Sequence, residues 1–177
     1  MADASLNKEY LGIEGHPAFN RLTAQFVFGD ACPAIDAGRV ATLQTLSGTG
    51  ALRVAADWLE LFAPSKAVWL PSPSWGNHAK IFERAGLTVA SYRYLDDTGT
   101  GLDFDGLLDD LRGAPRGATI LLHACAHNPS GVDLTAGQWG ELAEVFRDGG
   151  LLPLFDSAYQ VRRSRGCGWG WGSTNLH

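Results

Sequence analysis

The sequence predicts an α/β domain built on a mostly parallel sheet with helices on both faces. Three observations predict it. Short apolar runs of strand length alternate with longer stretches whose apolar residues recur at helical spacing. One run, ATILLHAC at 118–125, is nearly all apolar, the pattern of a strand buried on both faces. Small and polar clusters recur just past the strands, where sheets of this class hold their ligands.

The elements follow in order. GALRVAADWLELFA at 50–63 has helical periodicity and starts after Ser47-Gly48-Thr49, residue types that cap helix starts. AVWL at 67–70 reads as a strand ended by Pro71. Residues 75–85 read as a helix stopped by Gly86. TVASYRYL at 88–95 has the β-branched and aromatic bias of a strand. Residues 103–112 form an amphipathic helix with an acidic start, followed by the apolar strand at 118–125. Thr135 caps a helix running to about Asp148, and Leu151 to Phe155 make the last strand.

The totals narrow the function. A chain of 177 residues suits one domain, or a large part of a bigger one, and can bury roughly 70% of its unfolded surface. Its formal net charge is −5 with no basic stripe, which speaks against nucleic acid as a partner. No apolar run reaches the ~18 residues of a membrane span. The start, MADASLNKEYLG, lacks the basic and apolar regions of a secretory signal, so the cytoplasm is the expected compartment, with an organelle as the alternative. Cys32, Cys125 and Cys167 are too scattered for a disulfide framework. His123-Ala124-Cys125-Ala126-His127 has neither the usual ligand spacing nor a fourth ligand, so no metal is expected there.

Four loops converge on the crevice at the strands' carboxyl ends: Ser47-Gly48-Thr49, Ser74-Trp75, His127-Asn128-Pro129 and Asp156 with Tyr159. Taken singly, each has two readings. Ser-Gly-Thr at a helix start is a plain cap, or an anion cradle of free N–H groups and hydroxyls at the positive helix end. Trp75, on a loop stiffened by Pro71 and Pro73, is a lid, or a cover for a flat heteroaromatic ring. Asn128 is a turn residue or a directed amide. Asp156 caps a loop, or pairs with a protonated ring nitrogen, since a buried carboxylate needs a partner.

Together, SGTGALR, PSWGNH, GLDF, HACAHNPSGVD and FDSAYQ, in this order and spacing, resemble the aspartate aminotransferase branch of the fold-type I pyridoxal-phosphate enzymes. The resemblance runs from about Asn7 to Gln160. It implies that Gly48 and Thr49 hold the phosphate of pyridoxal 5'-phosphate. It implies that Trp75 and Ala158 lie on opposite faces of the ring, and that Asn128 and Tyr159 bind its phenolic oxygen. Asp156 would bind the pyridinium nitrogen, with His78 and His123 behind it. Tyr10 would reach the phosphate of a neighbouring subunit, which implies a homodimer. The implied reaction moves an amino group between aspartate or glutamate and 2-oxo acids.

The resemblance also leaves a gap. The family's Schiff-base lysine follows the Asp-x-x-Tyr strand, whereas the lysines here are Lys8, Lys66 and Lys80. The expectation is therefore a partial large cofactor-binding domain over 1–160 with no catalytic residue of its own. Residues 161–177, rich in glycine, arginine and tryptophan, would be a divergent, disordered tail from an out-of-register or alternative ending. Such a chain would not transaminate alone. A non-catalytic cofactor-binding or partner-binding remnant is the second reading. A nucleotide-binding α/β enzyme is the third, weakened by the missing GxGxxG fingerprint.

Overall fold

The computed structural model describes residues 9–159. Lys8 and the tail at 161–177 lie outside the described residues. These residues fall into two compact units, one ending at Ser47 and the other starting at Gly48.

The first unit is helical. α1 (Pro17–Phe28) has Pro17 in its first turn, where a missing N–H costs nothing, and the His16 ring accepts from the Phe19 N–H as its cap. Gly29, at φ 87°, closes it. α2 (Pro33–Asp36) is a single turn. Gly15 is required by space as well as by its φ of 95°. A Cβ there would stand 2.4 Å from the Gln44 Cβ. That approach lets the Gln44 N–H bond the Glu14 carbonyl and the Gln44 amide oxygen accept from His16. Tyr10 is fully exposed.

The second unit is a four-stranded parallel sheet ordered β2-β1-β3-β4. The strands are β1 (Ala67–Ser72), β2 (Thr88–Arg93), β3 (Thr119–His123) and β4 (Leu152–Asp156). α3 (Ser47–Phe62) and α4 (His78–Arg84) cover one face, and α5 (Phe104–Arg112) and α6 (Ala136–Gly149) the other. Strand periodicity divides the core. Val68, Leu70 and Leu121 pack with Leu52, Ala56, Leu59 and Phe82 on the first face. Ile120 and Leu122 pack with Leu107, Leu111, Leu142 and Phe146 on the second. β3 lies inside the sheet, and its first four residues are buried, as its continuous apolar run predicted.

Helix starts and stops follow local chemistry. Thr135 and Gln138 form a reciprocal capping box at the start of α6. Gly150 ends that helix in the left-handed conformation at φ 60°. Asp103 caps α5 through the Gly106 N–H.

Several boundaries differ from expectation. α3 begins at Ser47, so Ser47, Gly48 and Thr49 form its first turn instead of preceding it. Ser47 enters with φ 62°, a left-handed value that a non-glycine residue adopts at a cost. α4 begins at His78; Trp75 to Asn77 form a turn closed by the His78 N–H on the Trp75 carbonyl. β1 runs through Pro71 to Ser72. Proline is accepted there because the β1–β3 ladder has already ended at Trp69 and Ile120. The Leu121 carbonyl, beyond that ladder, accepts from the Tyr92 hydroxyl at 2.8 Å.

Candidate functional site

The strand order makes the site. From β1 the chain crosses to β2 on one side, then passes back over β1 to reach β3 on the other. The connections diverge between β1 and β3, and a crevice opens outside the carboxyl ends there. α3 ends at Phe62, shortly before β1, and so runs back along the sheet. Its first turn therefore stands at the same end as the strand tips.

Three side chains from three elements meet in this crevice. His78 opens α4, His123 ends β3, and Asp156 ends β4 opposite His123 in the ladder. His78 is completely buried. Its Nε2 lies 2.9 Å from Asp156 Oδ2, and its Nδ1 lies 2.8 Å from Ser74 Oγ. A carboxylate only accepts, so Nε2 carries the proton. In the neutral ring, Nδ1 then accepts from the Ser74 hydroxyl. Trp75 packs edge-on against His78, with ring centres 5.2 Å apart at 80°. The His78 hydrogen bond holds the Asp156 carboxyl below the usual carboxylate range, with the Ala158 N–H adding to the effect. Asp156 is therefore an anion, and its side chain keeps 20% exposure.

His123 is different. Its ring centre is 5.4 Å from that of His78 and 4.5 Å from that of His127. Both its ring nitrogens are shut off from solvent and meet no hydrogen-bond partner. Burial pushes its pKa down to about 4, so the ring is neutral at ordinary pH.

The loop after β3 is pinned from several sides. The Asp133 carboxylate accepts from the Ala126 and His127 N–H groups, each at 2.9 Å. His127 Nδ1 lies 2.7 Å from Ser130 Oγ, and its ring stacks on Tyr94 at 3.9 Å and 17°. The Tyr94 hydroxyl donates to the Val132 carbonyl at 2.7 Å. Ala126 takes φ 51°, the second non-glycine residue in the left-handed region after Ser47. Both stand at the carboxyl end of the sheet, and such strain concentrates at functional sites.

The fold thus brings together Trp75, His78, His123 and Asp156. Asn128 is half-buried, one residue beyond the pinned His127. Gly48 and Thr49 are exposed in the first turn of α3, and a Cβ at Gly48 would meet only open space. Ala158 and Tyr159 are exposed in the turn after β4. Tyr10 belongs to the first unit. Sequence reasoning missed Tyr94 and Asp133. The available signal was an acid close behind the Asn-Pro turn; nothing local marked Tyr94.

This arrangement has known counterparts. The family model for aminotransferase class I and II matches residues 1–167. Over 153 residues the chain is 56% identical to a cytoplasmic aspartate aminotransferase of Oryza sativa, covering 86% of this chain and 38% of the rice protein. The aspartate aminotransferase from Saccharomyces cerevisiae cytoplasm superposes with a TM-score of 0.86 at 42% identity, over 89% of this chain and 38% of that one. An aromatic-amino-acid aminotransferase from Burkholderia pseudomallei, covalently bound to pyridoxal phosphate, gives 0.85 at 44% identity, over 89% and 39%. The chain spans little more than a third of the length of the curated relatives it matches. With its parallel sheet, its crevice and a match over nearly its whole length, the chain belongs to the class I and II aminotransferases.

Proposed function

We propose that this chain holds pyridoxal 5'-phosphate for an aspartate aminotransferase reaction, in which an amino group moves between aspartate or glutamate and a 2-oxo acid. The observation that carries this reading is the Asp156 carboxylate. It is anionic, fixed from behind by buried His78, and still partly exposed. That is the partner a protonated pyridine nitrogen needs, because an adjacent anion favours the charged ring. Bound pyridoxal phosphate would supply an electron sink for the pair left when a substrate's α-proton departs.

The other donors fit the same group. The first turn of α3 presents N–H groups at Gly48 and Thr49, with open space before Gly48 for a phosphate. Trp75, half-buried beside His78, offers an indole to one ring face, and Ala158 would lie under the other. Asn128 and Tyr159 would bind the phenolic oxygen. Exposed Tyr10 would serve the phosphate of a second copy in a homodimer. The relatives named for the cytoplasm favour that compartment.

Of the described lysines, Lys66 donates to the Glu60 carbonyl just before β1, at the far end of the sheet, and Lys80 is exposed on α4. Binding by the 177-residue chain is therefore expected to be noncovalent. The test uses pyridoxine 5'-phosphate, which keeps the ring nitrogen and phosphate but has no aldehyde to react with a surface lysine. Saturable quenching of tryptophan fluorescence is expected, weakened at least about tenfold in Asp156→Ala, the loss of one charge-assisted bond. Equal affinity in that variant would remove the ring-nitrogen role.

A further inference from the structure

We infer that His78, His123 and Asp156 form a binding site for one divalent transition-metal ion when the crevice holds no other ligand. The His-x-Cys-x-His stretch does not suggest this triad, because its members come from α4, β3 and β4 and meet only in the fold. One donor atom from each lies within 4.8 Å of the others. An ion about 2.0–2.1 Å from each would set them roughly 3.3 Å apart, opening the 2.9 Å His78–Asp156 contact slightly and drawing His123 in, shifts within reach of side-chain rotation. Two imidazoles and a carboxylate suit zinc, cobalt or nickel and leave an open coordination position.

The second observation is the state of His123. Both its ring nitrogens are enclosed by protein without a hydrogen-bond partner. Buried polar atoms are normally satisfied, so an orphaned imidazole beside a carboxylate points to a missing partner. A cation meets that need without asking the ring to ionise. His78 is already oriented as a ligand would be, with Ser74 Oγ fixing the far nitrogen. On ligation neutral His78 changes tautomer: one proton is lost from Nε2 and one is taken up at Nδ1, with no net release. Nε2 then donates its lone pair to the ion, and the Nδ1–H donates to Ser74 Oγ, whose own hydroxyl proton turns away. No electron transfer is involved.

The site does not rest on the proposed function, although both use Asp156. The two readings separate because ring-nitrogen binding does not need a metal-binding His123.

The test is calorimetric titration of Zn2+ into the full, tag-free chain, with Co2+ absorption to read coordination. Expected are one Zn2+ per chain and visible Co2+ bands of a low-coordinate nitrogen–oxygen site. His123→Phe, which keeps the ring's bulk, and Asp156→Asn should each weaken Zn2+ at least about tenfold, since even partners behind a ligand are worth 10–100-fold. Ser74→Ala should weaken it by about tenfold through the second-sphere bond alone. Circular dichroism checks each variant, and Asp156→Asn carries the test if His123→Phe fails to fold. Absence of stoichiometric Zn2+ binding by the parent chain overturns the inference. So does parent-like affinity in a folded His123→Phe or in Asp156→Asn, because the ion would then sit on other histidines or cysteines.

Discussion

His78 Nε2 donates to Asp156 Oδ2 at 2.9 Å across 78 residues of sequence, joining the start of α4 to the end of β4. The imidazole is fully buried, and the carboxylate is mostly so. Each satisfies a group that would otherwise face apolar surroundings. The pair therefore serves the fold as well as the crevice, since α4 packs on β1 and β2 whereas β4 is the edge strand at the other side of the sheet. His78→Ala leaves an anionic Asp156 without its donor and opens a space under Trp75. A loss of roughly 2–4 kcal/mol is expected, combining an unpaired charged acceptor with a cavity. Urea denaturation would measure it.

Acid should weaken the second unit well before its carboxylates protonate. His123 and His127 are each held at about 4, against an ordinary 6.5, mainly by burial. His78, Asp156 and Asp133 face His123; His123, His78 and Asp133 face His127. Between pH 6.5 and 4 the unfolded chain binds protons that the folded chain refuses, so stability falls as pH falls. The contribution is complete above 6.5 and lost through about 4. Asp156, whose pKa is lowered, adds a further loss only below the ordinary carboxylate range. Melting temperature against pH should slope downward from 6.5 to 4, and His123→Phe should flatten that slope. A flat profile in the parent chain would contradict the buried neutral imidazoles.

Much of this architecture was legible because it depends on local pattern. The four strands, the helices between them and the parallel sheet followed from apolar runs, caps and glycine stops. The run at 118–125 announced β3 as interior. Errors fell where tertiary context overrides local chemistry. Ser47-Gly48-Thr49 reads as a cap, yet the helix starts there with Ser47 in a left-handed conformation. Pro71 reads as a strand end, yet β1 continues because the ladder beside it has already stopped. The chemistry-bearing residues were legible singly, through Asp156, His78 and His123. Their assembly was not, because the Tyr94–His127 stack and the Asp133 clamp join residues that no periodicity relates.

The Tyr92 hydroxyl repairs the interrupted ladder, and its removal should show this. Tyr92 is 1% exposed and donates to the Leu121 carbonyl. Tyr92→Phe keeps the ring in the core with Leu107 and Leu111 but leaves that carbonyl unpaired in the sheet. A cost of about 1–2 kcal/mol is expected, close to the desolvation penalty of one buried acceptor. Hydrogen exchange should rise locally along β1 and β3. A neutral result would mean that the carbonyl finds another donor once the hydroxyl is gone.

Ala126 offers a change of opposite sign. Its φ of 51° places a Cβ against its own backbone, a cost of roughly 1–2 kcal/mol for a non-glycine residue. The strain persists because Asp133 grips two consecutive N–H groups at Ala126 and His127 and fixes the turn. Ala126→Gly removes the clash but adds freedom to the unfolded chain, worth roughly 0.5–1 kcal/mol. The net expectation is stabilisation by about 0.5 kcal/mol, read as a higher urea midpoint with an unchanged slope. The same substitution with Asp133→Asn tests the cause. If the clamp is what enforces the left-handed turn, the benefit of glycine should shrink once the carboxylate is weakened to an amide. An equal gain in both backgrounds would place the origin of the strain elsewhere in the loop, in the Tyr94–His127 stack or the Ser130 contact.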